Sequence, residues 1–479
     1  MRKIVVLLVA AGMFFLLAGP VSAEEKDKDT GGGLSSIKPA DKENIDEIIK
    51  GVKDEIEKLD KEKKDKEEKD KKDKKDKDKS EGNPPPYQKP PQEAAPAGQP
   101  VNSGFDGTFG AVSIDGKMYY MLAFLYELGI DKFAAGFDVR LTWNDDGLKK
   151  DDWNDWQKAI SNMFRYIRYG QKGDSFYAKL GILDNSTLGH GFIMRRYSNI
   201  GADLYTRRFG TELDVNFGGF GIETVTNDIN WERLVGGRLY LKLIPEFLEI
   251  GATVVYDKDP TFGKYTLDPQ GNHLVLVTQS PFVEYGADIG IPLIKGNIFS
   301  MLVYGDWAKV KDKGQGFVFP GFAGKALIFD YRFEYRILDS DFIPGLFDNQ
   351  YEDRRPVSWA GYVTGGPQVK GFFGELGWKL MNWLRVCGSY EKSEGGLPSV
   401  RGEITYTGNF IPRITEAAAG YEQREIVTLD LKNPNTVVYA RVGLMIAPGA
   451  SMVFTTRQTY DALIGDYNRS TIMAMQMKF

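Results

Sequence analysis

The sequence predicts an all-β fold, a transmembrane antiparallel up-and-down β-barrel, and three observations carry the prediction. The last nine residues read TIMAMQMKF, so Phe479, Met477, Met475, Met473 and Thr471 share one face while Lys478, Gln476, Ala474 and Ile472 share the other. That period of two belongs to a strand with one greasy face. Comparable alternation recurs from about Gly104 to the end. Beyond residue 23 no stretch approaches the length of apolar run that a spanning helix needs, so an exported chain of this kind enters a bilayer through strands closed on themselves. A soluble β-sandwich alternates too, with aromatics in its core and charges outside, and one sequence does not say which face is inside.

Taken in order, residues 1–23 form a signal peptide. Arg2 and Lys3 precede the apolar run Ile4 to Gly19, and Val21, Ser22 and Ala23 make a small-residue cleavage site. No Cys follows that site, so lipidation of the bacterial lipoprotein kind is not available. Residues 24–80 are a charged segment with little to bury. Ile45, Ile49, Val52, Ile56 and Leu59 fall on one seam of a short helix at 43–60, about two heptads long, before KEKKDKEEKDKKDKKDKDK leaves only solvated charge. Acidic and basic side chains nearly balance there, which makes the segment a polyampholyte and not a nucleic-acid arm. Residues 81–103 are a linker stiffened by Pro84, Pro85, Pro86, Pro90, Pro91, Pro96 and Pro100. Three roles stay open for 24–103: a plain tether, a self-associating helix that aligns several barrels as a homo-oligomer, and a contact with the cell wall.

Residues 104–479 are the barrel. In ALIFDYRFEYRI, Leu327, Phe329, Tyr331, Phe333, Tyr335 and Ile337 alternate with Asp330, Arg332, Glu334 and Arg336. The same register links Phe137, Val139, Leu141 and Trp143 against Asp138 and Arg140, and Phe209, Leu213 and Val215 against Arg208, Glu212 and Asp214. Each run has the length of a tilted membrane strand. With the tether and Phe479 on one side, short turns such as QKGD (171–174), NFG (216–218) and APG (447–449) fall on that side, and long segments such as 257–280 and 355–369 on the other. One connection, 408–420, breaks this pattern. About twenty candidate strands can be counted, but those near Phe105 to Ser113 and Glu422 to Leu431 are weak, which sets the expectation at 16 to 20 strands with 18 as its centre.

Composition excludes several functions. With 54 Gly, 24 Tyr, 29 Phe, 1 Cys and 2 His, the chain has no internal disulfide and too few His for a His-rich metal site. No phosphate-cradling loop or paired-Cys motif appears, and neither His190 nor His273 stands in the spacing of a Ser-His or Asp-His site. The expectation is a chain with no cofactor, no metal, no catalytic residues and no nucleic-acid partner.

If the polar face of each strand points inward, acids and bases line the lumen in equal number. The lining candidates are Asp138, Arg140, Arg208, Glu212, Asp330, Arg332, Glu334, Arg336, Arg385 and Arg441. Such balance argues against a pore that selects by one sign of charge. Most of these charges should sit in cross-strand ladders. The segment Leu183 to Asp203, on the long-loop side, carries Gly189, Gly191 and Gly201 for bending and Phe192, Ile193 and Met194, which are costly on an exposed loop. A loop with its own apolar residues should fold back onto something.

The terminal nonapeptide resembles the C-terminal signal of bacterial outer-membrane β-barrel proteins, with Phe479 as the assembly signal read by the barrel-assembly machinery. The whole region 104–479 resembles bacterial outer-membrane porins at the level of pattern, without a diagnostic family motif. That resemblance implies a bacterial outer-membrane location with the N-terminal segment in the periplasm, outer-membrane lipid as the surround, and passive diffusion of small polar solutes with weak ion selectivity. It also implies that Leu183 to Asp203 narrows the pore, with His190, Arg195 and Arg196 at the constriction. The alternative is a non-conducting barrel that serves as an adhesin or an envelope anchor.

Overall fold

Twenty strands close into one ring in the computed structural model, which describes residues 104–478 apart from 115–116, 201–207, 232, 245–246, 262–264, 268–272, 276–280, 356–366, 381–382, 409, 427–435 and 462–465. The signal peptide, charged segment, linker and Phe479 lie outside the described residues. In chain order the strands are β1 (Gly104–Ile114), β2 (Lys117–Ile130), β3 (Phe133–Asn144), β4 (Phe164–Tyr169), β5 (Phe176–Gly181), β6 (Gly210–Asn216) and β7 (Phe220–Thr226). They continue as β8 (Leu234–Ile244), β9 (Leu248–Asp257), β10 (Phe282–Ile294), β11 (Phe299–Val310), β12 (Gln315–Ala326), β13 (Phe329–Leu338) and β14 (Val369–Leu380). The last are β15 (Leu384–Ser393), β16 (Ser399–Thr407), β17 (Ile414–Gln423), β18 (Thr436–Ala447), β19 (Ala450–Asp461) and β20 (Asp466–Lys478). Each pairs antiparallel with its sequence neighbours, and β1 closes the ring on β20 from Asp106↔Lys478 to Val112↔Ile472. A two-residue strand, Gly147–Leu148, extends β3, and a small hairpin, Tyr265–Leu267 with His273–Val275, lies apart in the connection after β9.

The strand number is therefore 20, at the top of the expected range and not at its centre of 18. Of the two strands that the sequence left weak, the first is present as β1, but the one near Glu422 to Leu431 is not: the strand there is β17, which ends at Gln423, residues 424–426 are not strand, and 427–431 lie outside the described residues. β1 (GFDGTFGAVSI) and β17 (ITEAAAGYEQ) are rich in Gly and Ala, so their side chains barely mark a period, yet their backbones pair along their full lengths. Because β17 begins at Ile414, the connection that broke the pattern shrinks to 408–413. One end of the barrel, the turn end, carries the start of β1, the end of β20 and connections no longer than 170–175 and 408–413. The other, the loop end, carries 182–209, 258–281 and 339–368. Leu327 sits in a turn at φ 57°, and Arg208 and Phe209 precede β6, so the runs that included them begin later than the alternation suggested.

Burial decides which face is inside. Along β8, Leu239, Leu241 and Leu243 are 61%, 50% and 57% exposed while Arg238 and Tyr240 are 1% and 8% exposed. The pairing carries this division from strand to strand: Glu223 faces Arg238, Asp288 faces Asp306, and Arg332 faces Glu375. Charge points into the barrel and bulk points out, the reverse of a sandwich. No helix among the described residues is long and apolar enough to cross a membrane, which leaves strands to do so.

Candidate functional site

Two loop-end connections turn inward, and each does so through local backbone chemistry. In the first, 182–209, Gly189 and Gly191 adopt φ of 56° and 88°, which favours glycine, and the chain doubles back so that Ser186 and Tyr197 exchange backbone hydrogen bonds. In the second, 339–368, Gly345 at φ 61° lets its N–H donate to the Phe192 carbonyl at 2.7 Å, and the Arg195 N–H donates to the Phe347 carbonyl at 2.9 Å. Leu188, Phe192, Ile193 and Met194 from the first loop and Phe342, Leu346, Phe347 and Tyr351 from the second form one dry cluster with the inward faces of β7–β13. Exposed apolar side chains on a loop would order water, so their burial drives the inward fold.

Small residues on the wall make the seat. A Cβ on Gly236 would stand 3.0 Å from Leu188 and 3.4 Å from Met194, and one on Gly290 would stand 3.0 Å from His190 Nε2. At Gly251 a methyl would lie 2.5 Å from both the Arg238 guanidinium and Asp288 Oδ2. Those two groups are locked, since Arg238 donates to both Asp288 oxygens at 2.9 and 2.5 Å and to Glu249 at 2.9 Å. Gly251→Ala should therefore displace this pair and destabilise the barrel by about 1–3 kcal/mol. The measurement is the midpoint of denaturant unfolding in vesicles, and a midpoint equal to that of the parent would mean the seat is looser than its geometry.

The candidate residues divide by place. His190 Nδ1 lies 3.0 Å from Asp306 Oδ1 with its ring 4.5 Å from that of Tyr304, so the imidazole is fixed against β11. Arg195 and Arg196 both pair with Glu375 on β14, Arg196 at 3.0 Å, and Arg196 also lies 3.6 Å from Cys387 Sγ. Burial pulls the Arg195 guanidinium down to about 10, against the upward pull of Glu375. Of the lining candidates, Arg140 pairs with Asp138 at 3.2 Å, and Glu212 with Lys172. Glu334 holds Arg332 at 2.8 Å and Arg336 at 2.5 Å. Asp330 lies opposite Lys325, Arg385 opposite Lys379, and Arg441 reaches Glu416 at 2.7 Å. Arg208, expected as a strand residue, instead leads into β6 and clasps Glu352 of the second loop.

That second loop was missed, although Phe342, Ile343, Leu346, Phe347 and Tyr351 carried the same signal of apolar residues between strands. It ends in a clasp. Glu352 accepts from Arg355 Nε at 2.8 Å, Arg355 Nη2 at 2.9 Å and Tyr197 Oη at 2.5 Å, and Arg355 reaches Asp257 on β9 at 2.6 Å. Asp353 beside it takes Arg457 of β19 at 2.5 Å.

The apolar filling is one-sided, although polar side chains of the second loop reach across: Asp353 pairs with Arg457 of β19, and Asp348 with Arg424 just after β17. The dry cluster draws on β7–β13 with Val369 of β14 against it, and on none of β15–β20 or β1–β6. Across the barrel, the inward register positions include Thr405, Ala418, Gly420, Thr455, Ala474, Thr108 and Ala123, which are small. Ion pairs on β16–β18 are wetter: Arg441 and Glu416 are 43% and 29% exposed, against 0% and 1% for Arg355 and Glu352.

Compared with known proteins, the chain matches no family model and no curated protein. Among solved structures it is similar to OpdQ of Pseudomonas aeruginosa, with 10% identity, 79% of this chain and 97% of that one covered, and a TM-score of 0.32. It is similar to OprD of the same organism at 12% identity, 82% and 99% coverage and a TM-score of 0.32, and to a mutant porin of Rh. blastica at 10%, 79% and 100%, and 0.26. At that distance the likeness carries no argument. The architecture itself, closed, antiparallel, even-stranded, charged within and apolar without, is that of an up-and-down transmembrane β-barrel.

Proposed function

We propose that this chain is an outer-membrane channel for passive diffusion of small polar solutes, with the turn end in the periplasm and the loop end outside. The observation that supports it is the one-sided apolar filling. The apolar residues of the two locked loops occupy the sector of β7–β14 and only polar ties reach β19, while the inward face of β16–β18 keeps small residues and partly exposed ion pairs. A barrel of this size encloses an aqueous lumen unless loops fill it, and the apolar packing of these loops takes one side. Because Arg140, Arg401, Arg441 and Arg457 each face a carboxylate, the passage should be only weakly ion-selective. The outward band of Leu, Phe, Tyr and Ile fits lipid better than water.

The dryness of the loop cluster favours a second reading, a non-conducting barrel that acts as an adhesin or envelope anchor through the segment 24–103. Residues 24–479 in a planar bilayer should give stepwise, ohmic conductance with a reversal potential near zero in a salt gradient. Silence from verified folded barrels would favour the second reading.

A further inference from the structure

The outward face carries a pattern that channel function does not use. On β11 Trp307 is followed on the same face by Lys309, on β14 Phe372 is preceded by Lys370, and on β15 Tyr390 is followed by Lys392, while the exposed Lys258 stands just past the end of β9, two residues after the outward Tyr256. On β11, β14 and β15 the lysine is one pleat repeat nearer the loop end than the ring, about 7 Å along the strand. The register places them outward: Lys309 faces the outward Tyr285, Lys370 faces Ile337, and Lys392 faces the outward Phe372. Among the described residues Lys258, Lys309 and Lys370 have no ion-pair partner, and Lys392 is held by the Gly396 carbonyl. Lys311 and Lys313 in the turn after β11 add to the strip; its nearest carboxylates in sequence are Asp257, Asp259, Asp312, Glu391 and Glu394, of which Asp257 pairs with Arg355 and Glu391 with Arg336.

The turn end lacks this arrangement. Its outward rings Phe133, Tyr169, Phe176, Phe220, Phe299 and Phe329 lead in the same sense to Asp131, Gln171, Asp174, Gly218, Asn297 and Leu327. Nor does it occur on the other strands of the loop end, where Trp143 leads to Asp145 and Tyr120 to Met118. An aromatic ring at the apolar boundary with a cation just beyond it matches a lipid whose acyl chain lies against the ring and whose anionic headgroup lies over the ammonium.

We propose that the loop-end rim of β9–β15 is a docking surface for lipids with net-anionic, phosphate-bearing headgroups. It requires the barrel to sit in a bilayer but not to conduct, so a silent channel would leave it standing. Most of the strip backs the sector that the loops pack against, and strand pairing from β9 to β15 sets the spacing of its backbone.

The test uses the full-length mature chain in phosphatidylcholine vesicles with trace spin-labelled phosphatidic acid or spin-labelled phosphatidylcholine. The parent should hold phosphatidic acid about threefold over phosphatidylcholine, and the preference should fall as salt rises. Replacing Lys258, Lys309, Lys370 and Lys392 together with Gln should bring the ratio near one with conductance unchanged, whereas Lys132→Gln at the turn end should leave it intact. A parent without preference, a salt-independent preference, or a folded quadruple variant that keeps the parental ratio would each overturn the proposal. Loss of the preference on adding inorganic phosphate at constant ionic strength would also overturn it, by making this a site for the free anion. Should the quadruple variant misfold, the parent's lipid ratio and its salt dependence decide.

Discussion

Glu352→Ala should lower the unfolding free energy by about 3–5 kcal/mol and raise current noise in a bilayer, because it takes their shared carboxylate from the buried Arg355 and the partly buried Arg208. Arg355 would keep Asp257 and the Asp259 carbonyl, but Arg208 and the Tyr197 hydroxyl would lose a partner at the point where the second loop is clasped to the first. Burial alone would raise the Glu352 carboxyl. Arg208, Arg355 and the hydrogen bonds from Arg355 and Tyr197 outweigh it and hold that carboxyl well below the usual range. A carboxyl depressed in the folded state contributes stability that is complete above its unfolded pKa, near 4.3, and is lost as pH falls toward the folded value. Acid should therefore loosen the parent clasp while Glu352→Ala, already without it, changes little over the same interval. Glu284 provides the contrast. It is equally buried on β10, yet neither carboxyl oxygen has a hydrogen-bond partner among the described residues. Removing an unpartnered polar group from a dry site relieves a desolvation penalty, so Glu284→Met should be neutral or stabilising. Equal losses for the two variants, in urea unfolding from vesicles, would mean that the Glu352 pairs supply nothing beyond volume.

What the sequence made legible follows from the period of its side chains. Where Arg, Glu and aromatic residues alternate, as in β13, both the strand and its inward face could be read, because the two faces must meet different solvents. Where Gly and Ala dominate, as in β1 and β17, the strand exists through backbone pairing alone, which leaves no mark on composition. Glycine also hid a function in plain view. Gly236, Gly251 and Gly290 look like weak points in strands, but their missing Cβ atoms make room for Leu188, the Arg238 pair and His190. That role depends on a loop far away in sequence, and periodicity carries no such information. Nor does it reveal pairing across the barrel. Arg195 and Arg196 read as free cations from their own neighbourhood, and only closure of the ring brings Glu375 to them.

This pairing changes what charge removal at the loop should do. Replacing Arg195 and Arg196 with Ala removes two cations and uncovers Glu375, so these three groups go from net positive to net negative, with Arg332 across the strand pair as the nearest cation left. All three side chains are less than one-fifth exposed, and in such a place the effective dielectric is far below that of water. A shift on the order of 1–2 kcal/mol in local ion energy is reasonable there, which corresponds to roughly 5- to 30-fold in relative permeability if the solute path passes beside the loop. Reversal potentials should move toward cation preference. Glu375→Gln alone should move them toward anions, and the triple variant should return close to the parent, since the three charges act as one unit. A triple variant no nearer the parent than the double would show that loosening of the loop, and not charge, controls the current. Unchanged reversal potentials in all three, with the barrel folded and conducting, would place the solute path away from Arg195 and Arg196, along the small-residue wall of β16–β20.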